Sequence, residues 1–124
     1  MGRIWLVLGC LSGFVSVAAG AFGAHGLREK IAADLLEHWE TAARYEMYHA
    51  LALVLAGLFA SRAPSRAADL AGWAFAAGTI LFSGSLYALA FTGARSWGAV
   101  TPFGGGALLL GWVALLVAAA RRPA

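Results

Sequence analysis

A glutamate and a histidine lie three residues apart in the stretch RYEMYHALAL, where Tyr45 also precedes the histidine by four positions. On a helix these spacings place Tyr45, Glu46 and His49 on one face. A Glu-x-x-His pair is the unit from which di-iron carboxylate bundles build their site, but that site needs two such pairs and two further carboxylates. The chain has one pair, and its other acids fall outside the apolar segments. We therefore predict no metal site.

A second histidine ends the small, apolar run AAGAFGAHGL. His25 and His49 would ligate a haem only if both rings faced one gap between helices, and nothing in the sequence indicates that space. Ser83 and Ser85 lack the strand-to-helix elbow that exposes a nucleophilic serine. The GGG run at 104–106 lacks the lysine and the strand of a phosphate-binding loop. The sequence thus predicts no catalytic residue and no cofactor, and indicates that the protein is not an enzyme.

The elements that position these side chains are predicted to lie in lipid. Hydrophobic residues make up 61% of the 124 residues and charged residues 12%. A soluble domain has about 45–50% and about 25%, and so short a chain cannot bury the excess. The net charge of +3 comes with no cluster of basic residues and aromatics, so nucleic acid is not an expected partner. The single cysteine excludes an intramolecular disulfide.

Four segments are long and apolar enough to cross a bilayer core of about 30 Å, which takes about 20 helical residues. They cover about 4–24, 41–60, 70–91 and 102–120, within one domain of residues 1–124. The segment REKIAADLLEHWETAARY is amphipathic and predicts a helix on the membrane surface that continues into the second span. The expected fold class is all-α: an integral membrane bundle of four transmembrane helices with an amphipathic interfacial helix between the first and second.

The distribution of Lys and Arg predicts the orientation of the chain. The side with both termini holds Arg3, Arg62, Arg66, Arg121 and Arg122. The opposite side holds Arg28, Lys30, Arg44 and Arg95. The first side has only one acid, Asp69, and includes the carboxy-terminal basic pair. We therefore expect both termini in the cytoplasm.

The unusual polar residues gather in the outer half of the predicted bundle. Counting about 20 residues back from Ala60 places the outer face near Thr41 and His49 inside the hydrocarbon. The candidate polar cluster or ligand site comprises His25, Tyr45, Glu46, His49, Ser83 and Tyr87. We expect both histidines in this one cluster. It is either a satisfied structural network or a site for a small ligand, a lipid headgroup or a proton.

Small residues recur along the first and fourth spans and predict close helix packing. The first span has a GxxxG pair, Gly9 and Gly13, and a stripe of small residues spaced by four: Ser12, Ser16, Gly20 and Ala24. The fourth span begins with a glycine run. The predicted packing positions are Gly9, Gly13, Ser16, Gly20, Gly104 and Gly105. These faces are expected to pack within the bundle or, alternatively, to form a dimer contact.

Five stretches resemble one protein family. GAFGAHGL, ETAARYEMYHALAL, FSGSLYAL, TPFGG and the GW at 111–112 are similar to the domain of unknown function family 423, the YgdD-like small membrane proteins, and the likeness covers nearly the whole chain in order. The resemblance implies a four-helix protein of the bacterial inner membrane. It implies no established activity and brings no catalytic residue. The family pattern often has Gln at the position of Glu46, which puts a carboxylate-dependent mechanism in doubt.

Two classes of function follow from the sequence. The first is a structural or accessory membrane protein that packs through its small-residue faces, with the lipid bilayer, a second copy or other membrane proteins as partners. The second is a protein that binds or transports a small ligand, a lipid or protons through a pocket around His25 and His49. A water-accessible cavity at His49 would favour the second class, and a dry, close-packed cluster the first.

Overall fold

The structure, a computed structural model, describes residues 1–122 and is all-helical over that range. Its four long helices are α1 (Gly2–Phe22), α2 (Ala33–Arg62), α3 (Arg66–Thr92) and α4 (Thr101–Arg121). A π-helical turn, Gly23–Leu27, continues α1, and a short 3-10 helix, Arg95–Ala99, precedes α4. The all-α fold class is therefore confirmed. The final two residues, 123 and 124, are outside the described range.

The ends of α3 have local causes in the sequence. The Ser65 hydroxyl accepts a hydrogen bond from the Ala68 amide at 3.0 Å and caps the first turn, as serine commonly does. Gly93 ends the helix with φ +73°, a left-handed conformation that glycine adopts without strain. Helix α4 begins at Thr101, one residue earlier than we expected, so Pro102 occupies its second position.

Three helical segments are long and apolar enough to cross a membrane: Gly2–Leu27, Arg66–Thr92 and Arg95–Arg121. Helix α2 is longer than any of these helices, at 30 residues, but its first half carries charged and polar side chains. Of the amphipathic segment expected at the membrane surface, residues 33–45 are helical and run without a break into the rest of α2, whereas residues 28–32 precede the helix. No proline interrupts residues 33–62 and their one glycine is Gly57, so nothing in that segment breaks the helix.

Each helix packs mainly on its neighbours in the chain, so that α2 and α3 occupy the centre. Helix α1 lies against α2, and α4 lies against α3. Consecutive helices run antiparallel, because short connections join them. This order leaves a groove on each side of the central pair. The first groove lies between α1 and α3 with α2 as its floor, and the second lies between α2 and α4 beside α3.

Helix α1 contacts the rest of the protein at positions that alternate in spacing between three and four residues. These positions are Gly2, Trp5, Gly9, Ser12, Ser16, Ala19 and Gly23. That spacing is the heptad pattern of helices packed at a shallow angle. At Gly9, an added Cβ atom would lie 2.8 Å from the Ala50 carbonyl oxygen. The glycine is therefore required for the close approach of α1 and α2.

Three of the six predicted packing positions lie away from a helix contact or contribute little to close approach. A Cβ atom on Gly20 would have no neighbour within 4 Å, so Gly20 is not at a helix contact. At Gly13 and Gly105, an added Cβ would lie 3.8 Å from its nearest neighbour, which is ordinary contact distance. Gly104 is tightly packed, because a Cβ there would overlap the backbone of Phe82. Positions spaced strictly by four drift by about 40° per step around a helix, which carries Gly20 off the contact face.

Candidate functional site

Glu46 joins three helices through its carboxylate. Its Oε2 accepts a hydrogen bond from the Ser12 hydroxyl of α1 at 3.0 Å, and its Oε1 accepts one from the Tyr87 hydroxyl of α3 at 2.7 Å. The residue is buried, with 7% of its surface exposed. Both donors reach the carboxylate from helices that flank α2. The buried carboxylate is therefore held in one orientation by two independent hydrogen bonds.

Two serines, one on α1 and one on α3, donate hydrogen bonds to the turn of α2 that precedes Glu46, and so set the register of α1 and α3 against α2. Ser16 of α1 donates to the Ala43 carbonyl at 2.6 Å, and Ser83 of α3 donates to the Ala42 carbonyl at 2.8 Å. Small hydroxyl side chains commonly link helices in this way where lipid surrounds them. The two bonds fix α1 and α3 against the same turn of α2, and so align Ser12 and Tyr87 with Glu46.

Glu46 has no cationic partner within residues 1–122. The ion pair in this part of the chain joins Arg95 to Asp34 at 2.5 Å, and both of those side chains are exposed. The Arg95 guanidinium holds the pKa of the Asp34 carboxyl below its ordinary value, chiefly through their hydrogen bond. A buried carboxylate without a counter-charge carries a large desolvation cost. The protein thus supplies Glu46 with two hydrogen-bond donors, but residues 1–122 supply no positive charge to balance an ionised carboxylate.

Glu46 lies in the floor of the first groove, whose volume is about 410 Å³. The polar residues along the groove are Ser12, Glu46, Thr79, Ser83 and Tyr87, and its apolar walls include Leu8, Leu11, Val15, Leu53, Ala76 and Ile80. Helices α1 and α3 approach each other at the Trp5 end, where the Trp5 indole donates to Asp69 at 3.2 Å. Elsewhere these two helices make little contact. The groove therefore opens sideways between them.

Thr79 is the one buried side chain in the described residues whose polar atom has no hydrogen-bond partner. Its side chain lines the first groove and is 9% exposed. Thr79 lies one turn before Ser83 on α3, and Glu46 lies one turn after Ala42 on the antiparallel α2. Because Ser83 bonds to Ala42, this register places Thr79 and Glu46 at a similar depth. Buried hydroxyls are usually paired, so Thr79 marks an unmet hydrogen-bonding capacity in the groove.

His49 belongs to a different group of side chains. Its Nδ1 lies 2.8 Å from the Tyr45 carbonyl oxygen, and its Nε2 accepts a hydrogen bond from the Trp112 indole of α4 at 3.1 Å. An indole N–H can only donate, so Nε2 carries no proton and the ring is neutral, with its proton on Nδ1. Both nitrogens are satisfied. His49 therefore acts as a buried link between α2 and α4, beside the second groove of about 410 Å³.

The single cluster expected from the sequence is divided in the structure. Glu46 and Tyr87 are in direct contact, with Ser83 beside them in the first groove. Tyr45 and His49 line the second groove instead. Three residues along a helix leave an offset of about 60°, which is enough to aim Glu46 at α1 and His49 at α4.

His25 lies in neither group. It is exposed in the π-helical turn, and the expectation that it joins His49 is wrong. The neighbouring Gly23 occupies the contact face of α1, where an added Cβ would lie 2.6 Å from the Trp39 ring. A residue two positions further on points to nearly the opposite side of the helix, so the packing of Gly23 turns His25 outward.

Three residues of these sites were not singled out from the sequence. Ser12 was noted only as a member of the stripe of small residues, and Trp112 only as part of the GW pair in the family resemblance. Thr79 was not noted at all. Thr79, Ser83 and Tyr87 are spaced by four along α3, a polar stripe that could have indicated the groove. Within residues 1–122 no group of three or more His, Cys, Asp or Glu residues is placed to hold a metal ion.

Comparison with known proteins gives the chain a family. Residues 19–105 match the family described as Protein of unknown function (DUF423). The chain belongs to this family. Among DUF423 relatives, the UPF0382 membrane protein YwdK of Bacillus subtilis (strain 168) is 41% identical over 120 residues, covering 96% of this chain and 98% of the relative. The resemblance predicted from the five stretches is thereby confirmed.

Two staphylococcal membrane proteins are similar to this chain to a comparable degree. The UPF0382 membrane protein SAB0533 of Staphylococcus aureus (strain bovine RF122 / ET3-1) is 44% identical over 116 residues, with 94% of each chain covered. A UPF0382 membrane protein of Staphylococcus epidermidis (strain ATCC 12228 / FDA PCI 1200) is 43% identical over the same length and coverage. No solved structure matches the chain significantly. The protein is thus a membrane protein of a family whose molecular activity is unknown.

Proposed function

We propose that the protein spans the inner membrane four times, with α2 as the second span. Helix α2 contacts α1 from Gly57, beside Gly2 at one end, to Trp39, whose indole donates to the Ala19 carbonyl at 2.7 Å near the other. A helix that follows a transmembrane neighbour over this length crosses the same bilayer. The first turns of α2, before Trp39, would then lie at the membrane surface, in keeping with their amphipathic pattern.

Both termini face the cytoplasm in this proposal. The support is the excess of basic residues on their side, together with the carboxy-terminal arginine pair. Paired reporter fusions at Ala124, which lies outside the described residues, test the orientation: one reporter is active only in the cytoplasm and the other only outside it. Activity of the cytoplasmic reporter alone is expected. Activity of the outside reporter would reverse the proposed topology.

We further propose that the first groove binds an amphipathic molecule of the bilayer, with its apolar chain along the groove and its polar end at Glu46. The observation that carries this proposal is a buried carboxylate in the floor of an apolar groove, with no cationic partner in the described part of the chain. Ionisable residues inside a membrane are costly and commonly functional. The groove volume of about 410 Å³ falls within the range of about 300–1,000 Å³ typical of ligand pockets.

The alternative class, packing with partners through small-residue faces, has less support. The tightest of these glycines are already occupied within the chain, Gly9 by α2 and Gly104 by α3. A face that is filled by a neighbouring helix is not available to a second protein. The His49–Trp112 pair is also a close-packed structural link, which leaves the Glu46 groove as the region suited to a ligand.

A pair of glycine variants tests binding in the groove. Gly84 lines the groove and Gly106 lies on α4, and a Cβ atom on either would have no neighbour within 4 Å. Gly84→Leu should fill the groove without displacing backbone, and Gly106→Leu is its matched control. The protein is reconstituted in lipid nanodiscs with a single-chain alcohol that carries a photoreactive diazirine, and cross-linked residues are mapped by mass spectrometry.

Cross-links are expected at buried or half-buried groove residues such as Leu53 and Ala76, and they should disappear in Gly84→Leu but persist in Gly106→Leu. Phe14 and Leu116 are exposed and line neither groove, so they report ordinary contact with lipid. Labelling spread evenly over Phe14, Leu116 and the groove would contradict the proposal. So would labelling that is unchanged by Gly84→Leu.

A further inference from the structure

We propose that the polar end of the groove selects a protonated primary amine. This inference rests on the proposed function and deepens it by naming the chemical class of the ligand's head. The two carboxylate oxygens of Glu46 and the unpartnered hydroxyl of Thr79 provide the recognition.

The carboxylate of Glu46 has hydrogen-bonding capacity to spare. An ionised carboxylate offers about four acceptor positions and no donor. Ser12 and Tyr87 each donate to one oxygen and so use two of these positions. The remaining positions and the negative charge have no partner within residues 1–122. The site therefore lacks a cation that can donate hydrogen bonds.

The hydroxyl of Thr79 adds a second requirement. The residue lines the same groove as Glu46, and its hydroxyl is buried and has no hydrogen-bond partner within residues 1–122. The register set by the Ser83–Ala42 bond places it near the depth of Glu46. A head that donates to Thr79 as well as to Glu46 must carry more than one N–H or O–H group. A primary ammonium carries one positive charge and three donors.

Other heads meet these requirements less well. A phosphate or a carboxylate would repel the Glu46 carboxylate. A neutral alcohol supplies one donor and no charge. A quaternary ammonium supplies the charge but no donor. The apolar walls, including Leu8, Leu11 and Ile80, require an alkyl chain on the amine. The ligand class is accordingly a single-chain alkyl amine, charged at neutral pH.

Competition against the photoreactive alcohol tests the selection. Dodecylamine, dodecanol and dodecyltrimethylammonium are compared as competitors at equal mole fraction in the nanodisc lipid, with Gly84→Leu giving the background. Because hydrogen bonds to charged groups are the stronger ones, dodecylamine should compete at least about tenfold better than dodecanol. It should also exceed the trimethylammonium compound, which lacks donors.

Two variants assign the effect to residues. Glu46→Gln should bring dodecylamine to within about twofold of dodecanol, because the charge-assisted bonds are lost. Thr79→Val keeps the shape of the side chain but removes its hydroxyl, and should weaken dodecylamine by about threefold or more. Thr79→Ser keeps a hydroxyl and should retain the binding. Thr79→Val and Thr79→Ser both retain Glu46. Comparing them therefore tests the role of the Thr79 hydroxyl even if Glu46→Gln does not fold.

The outcomes separate the inference from the proposed function. Equal competition by dodecylamine and dodecanol would overturn the amine selection while leaving the groove as a binding site. Equal competition by the amine and the trimethylammonium compound would overturn the role assigned to the donors. Failure of all three compounds to displace the probe would overturn the proposed function itself.

Discussion

Two polar residues of α2, three positions apart, are satisfied in opposite ways. His49 has a partner for each ring nitrogen, whereas Glu46 accepts two hydrogen bonds but has no counter-charge among residues 1–122. The Glu-x-x-His spacing predicted that both would lie on one face of a helix, but Glu46 faces α1 and α3 whereas His49 faces α4. The spacing could not predict these partners, because they come from other helices. The direction of each side chain is decided by which neighbour supplies a donor, and that depends on the packing of the whole bundle.

Replacing His49 should destabilise the protein, and replacing His25 should not. His49→Ala leaves the Trp112 indole N–H without its acceptor, which costs about 1–3 kcal/mol for a buried group. His25→Ala removes an exposed ring and is the matched control. The free energy of unfolding in detergent, or the shift in melting temperature, measures the difference. Equal stability of the two variants would show that the His49–Trp112 bond contributes nothing.

Removal of the Thr79 hydroxyl should have the opposite effect on stability to removal of the His49 ring. Thr79→Val should leave stability unchanged or raise it slightly, because it replaces a buried hydroxyl that has no partner within residues 1–122 with a methyl group of similar shape. Ser83→Ala is the comparison, because its hydroxyl donates to Ala42, and it should lower stability by about 1 kcal/mol. Melting temperatures of both variants in the same detergent test the contrast. A Thr79→Val variant that loses as much as Ser83→Ala would indicate a hydrogen bond for Thr79.

At the scale of elements, helix content followed from composition and apolar length, but the contact face of α1 did not. A strict spacing of four selected Gly20, whereas the packed face follows the alternating spacing that includes Gly9, Ser16 and Gly23. The stripe of small residues contains positions that fit the strict spacing of four and positions that fit the alternating spacing of three and four. Which of them meets α2 depends on the crossing angle of the helices, which the sequence of α1 alone does not encode.

Leucine substitutions at two α1 glycines should separate these patterns. Gly9→Leu would force a side chain into the Ala50 carbonyl and the backbone of Val54, and overpacking of this kind costs about 1–3 kcal/mol or more. Gly20→Leu should be nearly neutral, because no atom lies within 4 Å of an added Cβ. Thermal unfolding in detergent distinguishes the two. Loss of stability in Gly20→Leu but not in Gly9→Leu would mean that the spacing of four is the packed one.

At the scale of the whole molecule, four membrane spans were predicted from apolar length, and three helical segments meet that criterion. Helix α2 falls short because Arg44, Glu46 and His49 reduce the apolar character of its first half. Of these residues, Glu46 and His49 are the ones that hydrogen-bond to neighbouring helices. The polar side chains that make α2 the least apolar helix therefore also form the Glu46 groove and the His49–Trp112 link.

The exposed Asp34–Arg95 pair ties the start of α2 to the segment before α4 and should confer a small pH dependence. The pKa of Asp34 is lowered in the folded protein, so its contribution to stability is present above the ordinary pKa and is lost as pH falls through the lowered value. Wild-type protein and Asp34→Asn should differ most near neutral pH and converge at acid pH. Melting temperatures across that range measure the effect, and a constant difference at every pH would exclude it.

The side-by-side order of the helices bears on how the chain enters the membrane during translation. Helix α1 leaves the ribosome before α2, and its Ser12 and Ser16 supply the hydroxyls that meet the polar half of α2. An isolated segment bearing a glutamate pays a penalty of a few kcal/mol on insertion. In the proposed four-span topology, a nascent hairpin of α1 and α2 would reduce that penalty before the rest of the chain is made. The two helices would then insert as a unit, because α1 supplies in advance the hydroxyl groups that α2 needs in order to pass from the translocon into lipid.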